Sequence, residues 1–176
     1  MIYIAIEGPN GSGKTTVARA LADYINSSRT DMSATVIREP SDPLYMSAMV
    51  NAGASQEMLA GAFMMDRAIQ GRALCGYDVV ISDRCYLSTF VYQQDVDRGL
   101  LIYLVDRLPR RPDLIVVLLG RHSDNRDGLS ALDMQRDEEI ERYRSAPDLY
   151  DNIMYIDDVE KLSVDEIVKI IAGRIL

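Results

Sequence analysis

Two observations predict a three-layer α/β fold, with helices on both faces of a central five-stranded parallel sheet. Short apolar segments recur at residues 2–6, 34–38, 78–82, 114–119 and 153–156, separated by helix-compatible stretches. Such alternation builds a parallel sheet wrapped by helices. The first segment also runs directly into Gly8-Pro9-Asn10-Gly11-Ser12-Gly13-Lys14-Thr15, a complete GxxxxGK[ST] phosphate loop, followed by Thr16. That motif has its meaning only between a strand and a helix.

Each element has its own justification. Val79-Val80-Ile81 and residues 114–119 are nearly continuous apolar runs, as strands buried on both faces require. Val17, Leu21 and Ile25 recur at spacings of four behind the phosphate loop and predict the helix that the motif demands. Residues 56–74 are rich in Met and Ala, with Leu59, Phe63 and Ile69 among the apolar positions, and predict a long helix. Residues 86–105 predict two helices parted at Gly99, and residues 164–175 predict a closing helix. Residues 121–136 follow the fourth strand and are polar and turn-rich, with His122, Ser123, Asp124, Asn125, Asp127 and Gly128. They read as a solvated loop or, more sharply, as a short lid over bound nucleotide. No repeat, linker or low-complexity tract divides the chain, so residues 1–176 are expected to form one domain.

Composition excludes several classes of function. A net charge of −8 argues against general nucleic-acid binding, because phosphate backbones are held by basic surfaces. Cys75 and Cys85 are too few for a disulfide framework, and no CxxC or Cys/His cluster suggests a metal site. A reducing, cytoplasmic location is expected on that basis. The amino terminus carries no basic region and its apolar run is broken by Glu7, which predicts neither a signal peptide nor a membrane anchor. No later apolar run approaches the ~18 residues that span a bilayer. Sixteen arginines against three lysines fit planar, bidentate grips on phosphate.

The chemistry begins at the phosphate loop. Its glycines let the backbone form an anion-binding nest, Lys14 is directed at the β and γ phosphates, and the Thr15 hydroxyl suits Mg²⁺. Asp83 ends the third apolar run, where a second metal-directed carboxylate belongs; alternatively it caps the following helix. Arg38-Glu39-Pro40 follows the second strand, Asp66-Arg67 lies on the long helix, and Asp83-Arg84 follows the third strand. In a parallel sheet these arginines arrive at the edge faced by the phosphate loop, which suggests a second anionic ligand opposite the first.

In order and spacing these blocks resemble the thymidylate kinase family. The resemblance runs from Glu7-Gly8 through Thr15-Thr16, Arg38-Glu39-Pro40, Phe63-Met64-Met65-Asp66-Arg67 and Asp83-Arg84 with Ser88 and Tyr92-Gln93. It continues through Pro112-Asp113-Leu114, the lid-like loop, a helix bearing Arg142 and Arg144, and Ile156-Asp157, so it covers essentially the whole chain. It implies a P-loop kinase fold, ATP and Mg²⁺ as cofactors, a dTMP-like acceptor and a homodimer. By position, Arg38 would grip the acceptor phosphate and Phe63 would stack on the base. Arg67 would bond a base carbonyl, Ser88 and Gln93 would line the base pocket, and Tyr92 would pack near base or sugar. Asp83 and Arg84 would organise metal, water and phosphates, with Lys14, Arg84 and the lid residues Arg121 and Arg126 acting on the transferring group. The chain departs from the family pattern at Asn10, where an acidic residue that meets the sugar is usual, and at Cys85, where Tyr is usual. Gly11 also excludes the family variant with an arginine inside the loop. Relaxed selectivity toward dUMP or 5-modified relatives is therefore expected.

Two competing readings stand beside this one. A deoxynucleoside kinase would need a carboxylate base near a neutral hydroxyl, and Glu39 is the candidate. A nucleotide-driven switch would carry DxxG and NKxD elements, and the chain contains neither. The sole histidine, His122, has no partner constellation for catalysis. If Lys14 is directed at ligand rather than core, Lys14→Ala abolishes phosphoryl transfer while leaving the circular dichroism spectrum unchanged. Loss of the folded spectrum, or undiminished turnover, would contradict the assignment.

Overall fold

The computed structural model describes residues 1–74, 76–120 and 136–175. The expected lid lies outside them except for its final residue, at position 136, which opens a helix. Five strands form one sheet: β1 (Ile2–Glu7), β2 (Ala34–Arg38), β3 (Val79–Asp83), β4 (Leu114–Leu118) and β5 (Ile153–Ile156). All pairings are parallel, in the order β2-β3-β1-β4-β5. β1 is therefore central, and its register sets Ile6 beside Asp83, which in turn lies beside Arg38. Three chain segments leave the sheet at the same carboxyl edge, the usual place for a ligand in such sheets.

Helix α1 (Lys14–Ser28) follows the phosphate loop, and α7 (Val164–Ile175) packs beside it. Their apolar faces meet Ile4 and Ile6 of β1, burying Val17, Leu21, Ile25, Ile167, Val168 and Ile171. Side chains alternate along a strand, so Ala5 faces the other layer. There it meets Ala60 and Met64 of α3 (Gln56–Ala73), Leu87 and Val91 of α4 (Tyr86–Tyr92), Leu101 and Val105 of α5 (Arg98–Val105), and Tyr143 of α6 (Arg136–Arg144). The expected three layers are present.

The structure corrects two expectations. The helices within residues 86–105 part at Gln93–Asp97 rather than at Gly99, which lies in the first turn of α5. The Asp97 side chain accepts from the Leu100 amide at 2.8 Å and starts α5 ahead of the glycine. A further helix, α2 (Pro43–Asn51), lies between β2 and α3, where the apolar spacing predicted none. Asp42 caps it at Tyr45 N and Pro43 takes its first position, a start signal legible in the sequence. The apolar pattern concealed it, since Leu44 and Tyr45 are exposed.

Leu21 is fully buried between α1 and the sheet. Leu21→Ala is expected to cost about 2–5 kcal/mol in urea unfolding. A loss below about 1 kcal/mol would show that this face does not close the core.

Candidate active site

The phosphate loop wraps the carboxyl end of β1 and opens α1 at its amino terminus. Two glycines have specific reasons. Gly13 caps α1 at φ 90°, a left-handed conformation that favours glycine. A Cβ on Gly8 would collide with the Leu118 carbonyl oxygen on the neighbouring strand. The loop's amides and the helix dipole together favour an anion. Lys14 is buried, and its Nζ donates to the carbonyls of Gly8 and Pro9 at 3.0 and 2.8 Å, so the cation lies along the loop. Ser12 and Asn10 are also buried, whereas Thr15 and Thr16 are exposed on the first turn of α1.

Beside the loop, the Thr15 hydroxyl donates to the carboxylate of buried Asp83 at the end of β3. Two hard oxygens held together, with room for phosphate and water oxygens, suit Mg²⁺ rather than a softer metal. Among the described residues no group of three His, Cys, Asp or Glu side chains forms a metal cage.

Arg84 follows with φ 83°, a strained backbone for a residue with a side chain. Its guanidinium donates to Asn10 Oδ1 at 2.5 Å and Ser88 Oγ at 3.1 Å, and lies 5.6 Å from the Tyr92 ring centroid. Burial pushes the Tyr92 hydroxyl up to about 12, with the guanidinium opposing the shift. The predicted residues Asn10, Arg84, Ser88 and Tyr92 therefore form one wall. Gln93 is buried at the end of α4. Arg38 is exposed at the end of β2, in register with Asp83.

Arg67, expected at a base carbonyl, has its observed partners within the protein. It is buried on α3, donating from Nε to Glu39 at 2.5 Å, from one terminal nitrogen to Thr89 Oγ1 at 2.7 Å and from the other to the Cys85 carbonyl at 2.8 Å. With a further bond to Met64 Sδ at 3.8 Å, four of its five N–H groups are directed inside the protein. Phe63 is half-buried beside it, with the guanidinium 5.8 Å from the ring centroid, and is not an ordinary core aromatic. Glu39 is 4% exposed and both its oxygens are engaged, one by Arg67 and the other by the Tyr3 hydroxyl at 3.3 Å. Burial pushes the Glu39 carboxyl up to about 7 against the pull of Arg67. For Arg67, burial works to lower the pKa and the Glu39 carboxylate outweighs it. A carboxylate so enclosed is not presented to a substrate hydroxyl.

Three residues escaped sequence reasoning as site builders. Glu7, fully buried at the end of β1, accepts from Cys85 N at 2.8 Å, Ser88 N at 3.1 Å, Ser88 Oγ at 2.8 Å and Tyr143 OH at 3.0 Å. It caps α4 from another element, doing for Ser88 N what a local N-cap side chain does. Burial, with Glu7 adding to it, raises the Tyr143 hydroxyl well above its ordinary value, keeping it a donor. Glu139 of α6 is likewise buried and accepts from Asn10 N at 3.2 Å. Glu7 was visible as a break in an apolar strand; Tyr143 and Glu139 carried no comparable signal. Arg121, Arg126 and His122 lie outside the described residues.

The family model for thymidylate kinase matches residues 6–165. The chain belongs to the thymidylate kinase family. Among curated relatives, a probable thymidylate kinase of Methanothermobacter thermautotrophicus is 34% identical over 128 residues, covering 66% of this chain and 63% of that protein. A probable thymidylate kinase of Thermococcus gammatolerans is 34% identical over 138 residues, covering 66% of this chain and 64% of that one. The chain thus spans less than two thirds of the length of these relatives. Of solved structures, thymidylate kinase from Ehrlichia chaffeensis superposes with a TM-score of 0.68 at 24% identity, over 97% of this chain and 98% of that one. Thymidylate kinase from Candida albicans gives 0.72 at 18% identity, over 99% and 90%. Both show that the fold is shared, and the expected P-loop kinase architecture is the one observed.

Within this thymidylate kinase fold the Glu39–Arg67 pair yields a direct test. Removing one member of a buried ion pair strands the other, at about 3–5 kcal/mol. Glu39→Ala is expected to lower unfolding free energy by that amount in urea titration, and the Glu39→Leu/Arg67→Met double variant to recover most of it. A single variant within about 1 kcal/mol of the parent would contradict the pairing.

Proposed function

We propose that this chain transfers the γ-phosphoryl group of ATP to dTMP, or to a closely related deoxyuridine monophosphate, giving the diphosphate. One observation carries the reading: the phosphate loop, the Thr15–Asp83 corner and the arginines Arg38 and Arg84 gather at one carboxyl edge of the sheet. Two sets of phosphate-directed groups at one sheet edge suit two anionic ligands. Membership of the thymidylate kinase family supports the same choice.

An acceptor monophosphate brings its own nucleophile, since its second pKa is about 6 and its oxygens are anionic near neutrality. No general base is needed, which agrees with Glu39 being enclosed by Tyr3 and Arg67. The work left to the protein is alignment and charge neutralisation. Lys14 and the loop amides hold the donor phosphates. Arg38 and Arg84 hold the acceptor phosphate, and half-buried Phe63 offers an aromatic face for the base. Thr15 and Asp83 would hold Mg²⁺, which supplies neutralisation of phosphate charge when bound. Arg121 and Arg126, outside the described residues, are proposed to close on the transferring group.

The same reading includes a homodimer. Met58, Met65 and Ile69 of α3 are each at least 60% exposed, and Tyr103 of α5 is 53% exposed. α3 and α5 pack together, so this apolar surface, too costly to leave in water as a patch, fits a second copy. A cytoplasmic location is consistent with the buried free thiol of Cys85. No helix among the described residues is long and apolar enough to cross a membrane, and the charge of −8 speaks against a nucleic-acid partner.

In steady-state assays dTMP is expected to give the highest kcat/KM, with dUMP about tenfold lower for want of one methyl and dGMP inactive. Strict rejection of dUMP would remove the proposed relaxation at Asn10 and Cys85. Arg38→Ala is expected to lower kcat/KM for dTMP about 100-fold with little change in KM for ATP. Equal losses toward both nucleotides would misplace that arginine.

A further inference from the structure

The hydroxyl of Ser88 has its direction set by its neighbours. A guanidinium has no acceptor, so Arg84 can only donate to Ser88 Oγ, at 3.1 Å. The Ser88 proton is therefore turned away from Arg84, to Glu7 at 2.8 Å. Glu7 in turn receives four donors, Cys85 N and Ser88 N on one oxygen and Ser88 Oγ and Tyr143 OH on the other. That fills the roughly four acceptor positions of a carboxylate. Glu7, Ser88 and Tyr143 are all buried, where linked hydrogen bonds reinforce one another.

This chain of bonds ends on Arg84, whose backbone is already held. Its N–H donates to the Ile6 carbonyl at 3.0 Å, and its carbonyl accepts from Ser82 Oγ at 2.5 Å. A long arginine side chain left to itself still samples many rotamers. Ser88 Oγ and Asn10 Oδ1 each take one terminal nitrogen, and the Tyr92 ring stands 5.6 Å from the guanidinium. Tyr143 braces this arrangement twice, by its hydroxyl on Glu7 and by its ring, which meets Tyr92 edge-on with centroids 6.4 Å apart. Glu7 and Tyr143 are each 0% exposed, so both act on a ligand only through other side chains.

We propose that Glu7, acting through the Ser88 hydroxyl and braced by Tyr143, is the positioning residue that aims Arg84 at the acceptor phosphate. The inference rests on the monophosphate-kinase reading above. At Arg67 a carboxylate takes the guanidinium directly; at Arg84 a hydroxyl intervenes, so a neutral group sets the direction of the cation. The carboxylate has no neutral substitute. In Glu7→Gln the remaining oxygen must face the two amides, which only donate, and the new NH2 group faces Ser88 Oγ and Tyr143 OH. Ser88 would then meet donors from both sides and lose its direction.

The test is kcat and KM for dTMP and for ATP in the parent, Ser88→Ala, Glu7→Gln, Arg84→Ala and Arg84→Ala/Ser88→Ala, with urea unfolding of each. Positioning predicts that Ser88→Ala and Glu7→Gln each lower kcat/KM for dTMP about 10- to 100-fold, while KM for ATP stays within about twofold. It predicts further that Ser88→Ala costs less than about threefold once Arg84 is alanine, because its route to the substrate is gone. The Ser88 and Arg84 variants carry the test if Glu7→Gln fails to fold. A full Ser88→Ala loss in the Arg84→Ala background overturns the proposal. So does an equal loss toward dTMP and ATP, or a lowered unfolding free energy with unchanged kinetics, either of which would make the network a support of the fold only. A parent enzyme that phosphorylates neither dTMP nor dUMP overturns the kinase reading itself, and this inference with it.

Discussion

The candidate site depends on one buried carboxylate. Glu7 ends the central strand, immediately before the phosphate loop, and binds two amides and a hydroxyl of the α4 start and the hydroxyl of Tyr143 on α6. Backbone pairing ties the strand end to Arg84, just ahead of α4, through Arg84 N to Ile6 O at 3.0 Å, and Glu7 adds the side-chain links to α4 and α6. Its removal would leave the first-turn amides of α4 without acceptors, and a buried donor left so costs more than the bond itself contributes. Through it, Arg84, Ser88 and Tyr92 are held at a set position relative to the loop. The strained backbone of Arg84 is tolerable only because the structure on both sides is fixed in this way.

A second constraint divides the arginines by task. Arg67 is internal, tying α3 to the second strand's exit through Glu39 and to α4 through Thr89 and the Cys85 carbonyl. Arg38 and Arg84 stand at the sheet's carboxyl edge instead. The pair with Glu39 thus gives one arginine a structural part. It also removes Glu39 from contention as a base, which separates a charged acceptor from a neutral hydroxyl more sharply than any motif does.

Much of this was legible in the sequence, for physical reasons that also explain the gaps. Parallel strands buried on both faces are written as continuous apolar runs, so all five were placed to within a residue, and the loop motif located the site's anchor. Helix α2 was missed because its apolar side chains, Leu44 and Tyr45, are exposed and mask the Asp42-Pro43 start. The α4–α5 break was misplaced because a glycine drew attention from the Asp97 cap. The buried partner of Arg67 stayed hidden because a sequence shows charge but not the group that meets it. Glu139 was invisible for the complementary reason, since in a run of three acidic residues nothing tells which one turns inward until α6 is docked by Tyr143.

The central claim is that this edge of the sheet accepts a phosphomonoester rather than a free nucleoside. The most direct measurement supplies γ-labelled ATP and Mg²⁺ with equimolar dTMP and thymidine in one reaction and separates the products. The account predicts label in dTDP and none in newly formed dTMP. Label accumulating in dTMP, with dTDP absent, would contradict it.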